Sequence, residues 1–231
     1  MIKKWSDLPP QLQIDEVKPY FHILCKKRAS LHMKRILDLL LASFFTILFS
    51  PVMLFLAIAI KLDSKGPVFY RQERITQYGR IYRIFKFRTM VNNADRQGPL
   101  VTVGSDSRIT RVGARLRKLR LDEIPQVFNI LSGDMTFVGT RPEVKKYVDR
   151  YTPEMMATLL LPAGLTSTGS IKYKDEDEIL EKYTSLGEST DDVYMNRVLP
   201  EKMKYNLKDI EKTGVIHDLS VMVRTVVAVI K

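Results

Sequence analysis

One cysteine, three histidines and one tryptophan in 231 residues leave little room for several common chemistries. The lone Cys25 excludes a disulfide within the chain, and His22, His32 and His217 are too few and too scattered to assemble a Cys/His zinc site. There is no Walker loop, no Gly-x-Gly-x-x-Gly turn and no His-Glu-x-x-His helix. P-loop nucleotide chemistry, dinucleotide binding and zinc proteolysis therefore have no foothold. The length suits one domain, with a core large enough to fold unaided.

Positive charge is present in excess, and it is concentrated. Residues 1–60 carry +4, residues 61–121 carry +11 and residues 122–231 carry −4, so one block accounts for the whole net charge of +11. Such a block calls for an anionic partner: a lipid headgroup, a polyphosphate or a nucleic acid.

The segment before that block narrows the choice. Ile36 to Ile60 holds one charge, Asp38, and as a helix would run roughly 37 Å, enough for a hydrocarbon core of about 30 Å. Membrane contact follows. A buried helix of a soluble core and a signal peptide are the competing readings; no small-residue cleavage site supports the latter. Basic residues flank the segment on both sides, Lys26, Lys27, Arg28, Lys34 and Arg35 before it and Lys61, Lys65, Arg71 and Arg74 after it. That distribution suits two ends emerging on one face. Ser50-Pro51 near the middle predicts two arms, Ile36 to Phe49 and Val52 to Ile60, meeting at a bend within one leaflet; a kinked spanning helix is the alternative. Asp38, one turn beyond Lys34 and Arg35, is expected to pair with them at the interface. Residues 1–30, with Pro9-Pro10 and Pro19, read as an interfacial or loosely packed extension.

Beyond Gly66-Pro67, Val68-Phe69-Tyr70 and Arg80 to Arg88 have strand-like composition, and Thr76-Gln77-Tyr78-Gly79 between them predicts a hairpin turn. Arg83, Lys86 and Arg88 on the second arm either hold phosphates in a cleft or form a solvated edge. Residues 92–108 read as a polar excursion, and Arg111 to Leu119 as a basic helix. Leu121-Asp122-Glu123-Ile124-Pro125-Gln126 then sets two carboxylates directly after the most basic block. Asp122 could simply be an N-cap, with Glu123 and Pro125 in the first helical turn. A helix start also offers N–H groups to a phosphate. Adjacent helical side chains diverge by about 100°, so one carboxylate can attack phosphorus while the other ligates Mg²⁺ or moves a proton. Neighbouring cations would lower both carboxylate pKa values and blunt phosphate repulsion.

The order Lys34-Arg35-Ile36-Leu37-Asp38, the apolar run with Ser50-Pro51, Gly66-Pro67-Val68-Phe69, Gln72-Glu73-Arg74, Phe85-Lys86-Phe87-Arg88-Thr89-Met90, Leu121 to Gln126, Asn129, Gly133-Asp134-Met135 and Arg141-Pro142 resembles the bacterial sugar transferase family, the monotopic polyprenyl-phosphate phosphoglycosyl transferases. The likeness covers roughly residues 32–166. It implies transfer of a sugar 1-phosphate from a UDP-sugar to undecaprenyl phosphate with release of UMP, at the start of bacterial capsule, O-antigen, exopolysaccharide or glycan synthesis. It further implies Asp122 as the nucleophile of a covalent phosphosugar intermediate and Glu123, with Asp122, at Mg²⁺. Lys86, Arg88, Arg117 and Arg141 would lie at substrate phosphates, and Ser50-Pro51 at the bend of a re-entrant helix.

The chain departs from the family pattern at Thr140, where Pro-Arg-Pro becomes Thr140-Arg141-Pro142, and at Thr76, where a glycine is usual. It also reads Leu161-Pro162-Ala163-Gly164-Leu165-Thr166-Ser167 where members often read Arg-Pro-Gly-Ile-Thr-Gly, a region expected to bear on sugar choice.

In the tail, Asp175 to Glu178 is an acidic run opening a helix through Tyr183, read as a solvated helix start or a metal or substrate contact. Tyr194 to Tyr205 and Leu219 to Ile230 read as two more helices. The expected whole is an α+β fold, mostly helical with a small β-hairpin. It comprises an N-terminal interfacial extension (1–30), a re-entrant Pro-bent membrane helix (31–62) and a catalytic domain (63–231) on the cytoplasmic face of the inner membrane. Its expected partners are a UDP-sugar, undecaprenyl phosphate and membrane lipids, without nucleic acid; a homo-oligomer is open. The competing class is a membrane-tethered polyanion-binding or scaffold protein of a polysaccharide assembly complex, which would be indifferent to Asp122.

Overall fold

A computed structural model describes residues 2–92, 94 and 106–230; the polar excursion expected over 92–108 lies for the most part outside them. The chain starts with residues that have no regular apolar period yet bury Leu8, Leu12, Val17, Phe21 and Leu24, the last two on α1 (Lys18–Lys26). These side chains share a core with Ile75, Leu160, Leu207 and Ile210. The segment expected to be interfacial or loosely packed is thus built into the protein interior. Its irregular spacing, set by short 3₁₀ turns at Trp5–Asp7 and Pro10–Leu12, is why no helical or strand period announced it.

The apolar run forms one helix, α2, Arg28–Asp63, with Pro51 inside it. The two arms expected on either side of Ser50-Pro51 are therefore continuous. Proline at 51 has no N–H to give to the carbonyl of residue 47, and the Ser50 hydroxyl donates to the Ile47 carbonyl instead, at 2.8 Å. One face of α2 is held by the rest of the chain through Lys34, Asp38, Ala42, Leu56 and Ile60, all buried. On the other face Ile36, Leu40, Phe44, Ile47, Leu54, Phe55 and Ile58 stand exposed, an apolar strip too long to be a chance feature of a water-facing surface.

Asp38 does not pair with Lys34 or Arg35. Its carboxylate accepts from the Thr136 hydroxyl at 2.6 Å and the Phe137 N–H at 3.2 Å on β3 (Met135–Val138). Lys34 turns to Asp218 on α10 (Val215–Ile230) and to the Val138 carbonyl at 2.8 Å. Arg35 donates to the carbonyls of Ile130 and Leu131 at 2.7 and 3.1 Å, at the end of α4 (Val127–Ser132). Local i, i+4 pairing is worth only about 0.2–0.5 kcal/mol, less than leaving a buried donor or acceptor unmet, so tertiary partners win.

Strands β1 (Phe69–Ile75) and β2 (Ile81–Phe87) form the expected antiparallel hairpin, with Phe69 opposite Phe87 and Ile75 opposite Ile81. Tyr78 and Gly79 at its tip both have positive φ, and Lys3 of the N-terminal segment donates its N–H to the Tyr78 hydroxyl at 3.0 Å, bracing that turn. A second, parallel pair joins β3 to β4 (Ala163–Thr166). All four residues of β3 are buried, so it lacks the alternation that reveals a half-exposed strand. Between the pairs, Asn129 on α4 accepts from the Phe85 N–H at 2.7 Å and donates to the Arg83 carbonyl at 3.0 Å, fastening the helix to β2.

The basic helix α3 (Arg111–Lys118) is capped by the Thr110 hydroxyl on the Gly113 N–H, and Asp63 of α2 accepts from the Val112 N–H at 3.0 Å. Gly113 lies so close to the backbone of Thr89 that a Cβ would meet its carbonyl oxygen at 2.0 Å. The remaining helices are α5 (Lys145–Val148), α6 (Thr168–Lys172), α7 (Glu176–Thr184), α8 (Thr190–Val193) and α9 (Leu199–Lys212), with a π-helical turn at Tyr194–Val198 leading into α9. The acidic start of α7 and the two further tail helices match the sequence expectation.

Candidate active site

After α3 the chain reverses through Arg120, which takes a left-handed conformation at φ 55°, sparsely occupied by residues with a Cβ. A 3₁₀ run, Leu121–Gln126, follows and leads into α4. Asp122 and Glu123 lie in its first turn; Asp122 is not the N-cap, a position held by Arg120 without a side-chain bond. The sharp turn brings both carboxylates, half-buried, to the wall of a cleft of about 1100 Å³. Among the described residues, ten basic and five acidic side chains line it, so its field favours an anionic occupant.

The two carboxylates have different surroundings. A single oxygen of Glu123, Oε1, accepts from Lys86 Nζ at 2.8 Å and from Arg141 Nη2 at 2.7 Å. Burial pushes the Glu123 carboxyl up, but Arg141 and Lys86 outweigh it and hold the group well below the usual carboxylate range. Asp122 takes no hydrogen bond from another side chain among the described residues. Burial raises its pKa and Glu123 adds to that; Lys86 and Arg117 pull the other way without prevailing. The expectation that cations lower both values thus holds for Glu123 alone. On the cation side, burial lowers Lys86, while Glu123 holds Arg141 above its ordinary value, with smaller help from Glu176 and Glu143.

Arg117, on the last turn of α3, lines the cleft with no side-chain partner among the described residues. Arg88 lines it too, but its terminal nitrogens serve the exit of α2. They donate to the Ser64 carbonyl at 2.7 Å, the Ser64 hydroxyl at 2.9 Å and the Lys65 carbonyl at 3.0 Å. Of the four cations expected at phosphates, Lys86, Arg117 and Arg141 gather round the carboxylate pair, and Arg88 is committed to holding α2 against β2. Ser50 and Pro51, expected at a helix bend, lie on α2 away from the cleft lining.

Among the described residues no three His, Cys, Asp or Glu side chains cluster as a metal site. Mg²⁺ does not require one: it is commonly held by one or two carboxylates plus substrate phosphate and water. Glu123 Oε2, without a hydrogen-bond partner among the described residues, and the Asp122 carboxylate would supply that set.

Sequence reasoning missed Glu143 and Tyr194. Both line the cleft although the residues are only 6% and 4% exposed, and the Tyr194 hydroxyl donates to Glu143 Oε1 at 2.5 Å. Burial first, then Glu143, raises Tyr194 well above its ordinary pKa, so it keeps this proton. The available signal for Glu143 was its place two residues after Arg141. Glu176 and Asp177 of the acidic run line the cleft as well, with Lys202 paired to Glu176 at 2.6 Å. The segment Leu161 to Ser167, expected to bear on sugar choice, does not line it; Ala163–Thr166 is strand β4, packed on β3. Thr76, which departs from the family glycine, donates its hydroxyl to the Asp134 carbonyl at 2.6 Å and accepts from the Ala163 N–H at 3.1 Å, tying the hairpin to β4.

Residues 29–231 match the family described as bacterial sugar transferase. The chain is 46% identical over 123 residues to a UDP-N-acetylgalactosamine-undecaprenyl-phosphate N-acetylgalactosaminephosphotransferase of Aeromonas hydrophila, covering 53% of this chain and 29% of that one. It is 40% identical over 142 residues to a UDP-glucose:undecaprenyl-phosphate glucose-1-phosphate transferase of Caulobacter vibrioides, covering 60% and 53%. A protein of the latter name from Escherichia coli is 30% identical over 198 residues, covering 84% and 39%. The chain spans about half the length of the Caulobacter relative and less of the other two.

Proposed function

The chain belongs to the bacterial sugar transferase family, and from that premise we propose that it transfers a sugar 1-phosphate from a UDP-sugar to undecaprenyl phosphate, releasing UMP. The observation that carries this reading is Asp122, a carboxylate without a side-chain hydrogen-bond partner among the described residues, set in a cationic cleft beside Glu123, whose own charge is fixed by Lys86 and Arg141. An oxygen of ionised Asp122 attacks the sugar-bearing phosphorus. The bond from that phosphorus to the UMP oxygen breaks, UMP leaves with the electron pair, and a phosphosugar remains on Asp122 as an acyl phosphate. A phosphate oxygen of undecaprenyl phosphate then attacks the same phosphorus and frees the Asp122 carboxylate.

Two anions must meet in each half-reaction. Unit charges about 4 Å apart repel by roughly 4 kcal/mol at an effective dielectric of 20, so Lys86, Arg117 and Arg141 around the reacting phosphates supply a large share of the rate. Glu123 keeps Lys86 and Arg141 charged and aimed at the phosphates. Mg²⁺ held by Glu123 and Asp122 would neutralise phosphate charge at the same place.

The acceptor is a lipid, and α2 supports a membrane setting. It is the one described helix long and apolar enough to cross a bilayer. A helix crossing a bilayer carries its ends to opposite sides. Here the N-terminal part is bonded to β3, α4 and α10, and the C-terminal end to α3 and β2. Attachment of both ends to one domain favours insertion from a single face, the cytoplasmic face of the bacterial inner membrane, where UDP-sugars are made. This first membrane step would open synthesis of a bacterial glycoconjugate.

The test is Asp122→Asn in detergent or nanodiscs, with UMP release measured from UDP-sugars in the presence of undecaprenyl phosphate and Mg²⁺. Loss of at least about 10³ in turnover is expected, within the range that removal of a catalytic group produces, with the melting temperature kept. Near-normal release would refute the nucleophile.

A further inference from the structure

Besides Lys86, Arg117 and Arg141 around Asp122 and Glu123, the described lining of the cleft carries further acceptor groups, Glu143, Glu176 and Asp177, together with Tyr194, whose hydroxyl donates to Glu143. Carboxylates repel phosphates but accept hydrogen bonds from neutral hydroxyls, at about twice the strength of a neutral acceptor. An acidic wall inside a basic cleft is therefore suited to a polyol joined to a phosphate.

Position favours one end of the donor. In-line attack by Asp122 on the sugar-bearing phosphorus sends UMP away on the opposite side, whereas the sugar stays bonded to that phosphorus through both half-reactions. Groups flanking the carboxylate pair hence meet the sugar before they meet the nucleoside. Glu143 is such a group, because Arg141, two residues earlier, holds Glu123 at 2.7 Å. Its Oε1 is pinned by the Tyr194 hydroxyl at 2.5 Å, and its Oε2 carries no hydrogen bond among the described residues. Lys202, itself buried, pairs with Glu176 at 2.6 Å.

Resting on the transferase reading above, we propose that Glu143 and Tyr194, with Glu176 alongside, form the subsite that reads the hydroxyl groups of the donor's sugar ring. Sugar choice is then set on the loop after Arg141 and on the π-helical turn, and strand β4 serves packing alone.

The experiment measures UMP release from UDP-glucose, UDP-galactose, UDP-N-acetylglucosamine and UDP-N-acetylgalactosamine by the full chain and its Glu143→Gln and Tyr194→Phe variants. UMP is also titrated as an inhibitor, and melting temperatures are recorded. Glu143→Gln is expected to lower kcat/KM for the preferred donor by roughly 10- to 100-fold and to compress the ratio between preferred donor and epimer, as loss of a buried hydroxyl partner does. UMP inhibition stays within about 2-fold, since a subsite for the sugar leaves the nucleotide's own contacts untouched. Tyr194→Phe removes one oxygen while the ring keeps its place 5.0 Å from Tyr147, so it provides the second arm should Glu143→Gln fail to fold. The same direction with a smaller size is expected. Equal losses on every donor with unchanged ratios would make the pair structural and overturn the proposal. Weakened UMP inhibition in step with kcat/KM would assign the wall to the nucleoside and overturn it too. No release by the unaltered protein from any of the four donors would refute the transferase reading, and this subsite with it.

Discussion

Replacing Glu123 by Gln keeps the shape of the side chain and removes the one charge that serves both Lys86 and Arg141. Each cation lies within 2.8 Å of the same oxygen, and the three side chains are at most 30% exposed. At an effective dielectric of 20 each attraction at this distance is gross about 6 kcal/mol. Desolvation cancels much of this, and breaking a buried pair from one side costs about 3–5 kcal/mol net. A cost of about 3 kcal/mol corresponds to a fall in Tm of roughly 6–12 °C for a chain of this size. The pH dependence has a definite sign. Glu123 is held well below its ordinary value of 4.5, so its contribution is complete above pH 4.5 and is lost as pH falls through the folded-state value. The gap between parent and variant should be constant near neutrality and should narrow below pH 4.5. In turnover, the variant should release UMP about 10²-fold more slowly, as loss of a preorganised electrostatic group does, and should bind UMP more tightly, its two cations having lost their internal counter-ion. Thermal melts from pH 3.5 to 8 with EDTA, paired with UMP release and UMP inhibition, test each part. A Tm within 2 °C of the parent at pH 7, or a gap that widens in acid, would refute the clamp.

Lys34→Met should lower Tm by roughly 10 °C, since it strands Asp218 in a buried site at about 3–5 kcal/mol. Adding Asp218→Leu should restore more than half of it, and a double variant no better than the single one would deny the pairing. Because burial pushes Asp218 up even beside Lys34, the Lys34→Met deficit should shrink as pH falls and the folded carboxyl takes up its proton. Leu12→Ala, at a fully buried position, should cost about 2–5 kcal/mol in the same melts; a neutral result would return residues 1–30 to a loose extension. Gly164→Ala would set a Cβ 2.1 Å from the Gly139 carbonyl oxygen, a backbone clash worth about 3 kcal/mol, and an unchanged Tm would contradict the close β3–β4 approach.

Much of the site was readable because it is built from short motifs that stay local in space. Phe85 to Met90 is one strand and its exit, and Leu121 to Gln126 one 3₁₀ run. Lys86 and the Asp122-Glu123 pair therefore carry their relationship to their own backbone in the sequence. The hairpin was readable from its turn residues, and α3 from its basic periodicity. The backbone contacts of Arg88 were not readable, because a cation beside Lys86 in a shared motif looks equivalent to it. Adjacent strand residues point to opposite faces, but Arg88, two residues on, lies past the end of β2, where it donates to Ser64 and Lys65 at the exit of α2.

Residue types and their local order by themselves determined that a cationic block would surround a carboxylate pair and that one long helix would need an apolar environment. Net charge, hydrophobic run length and motif spacing are properties of the chain in any conformation. Tertiary structure alone decided which partner each charged group took: Asp218 over Asp38 for Lys34, Glu123 for both Lys86 and Arg141, and Tyr194 for Glu143, 51 residues away. The reason is energetic. A buried charge must find a partner wherever packing brings one, at a cost of several kcal/mol if it fails, and that choice is made only when distant segments close around it.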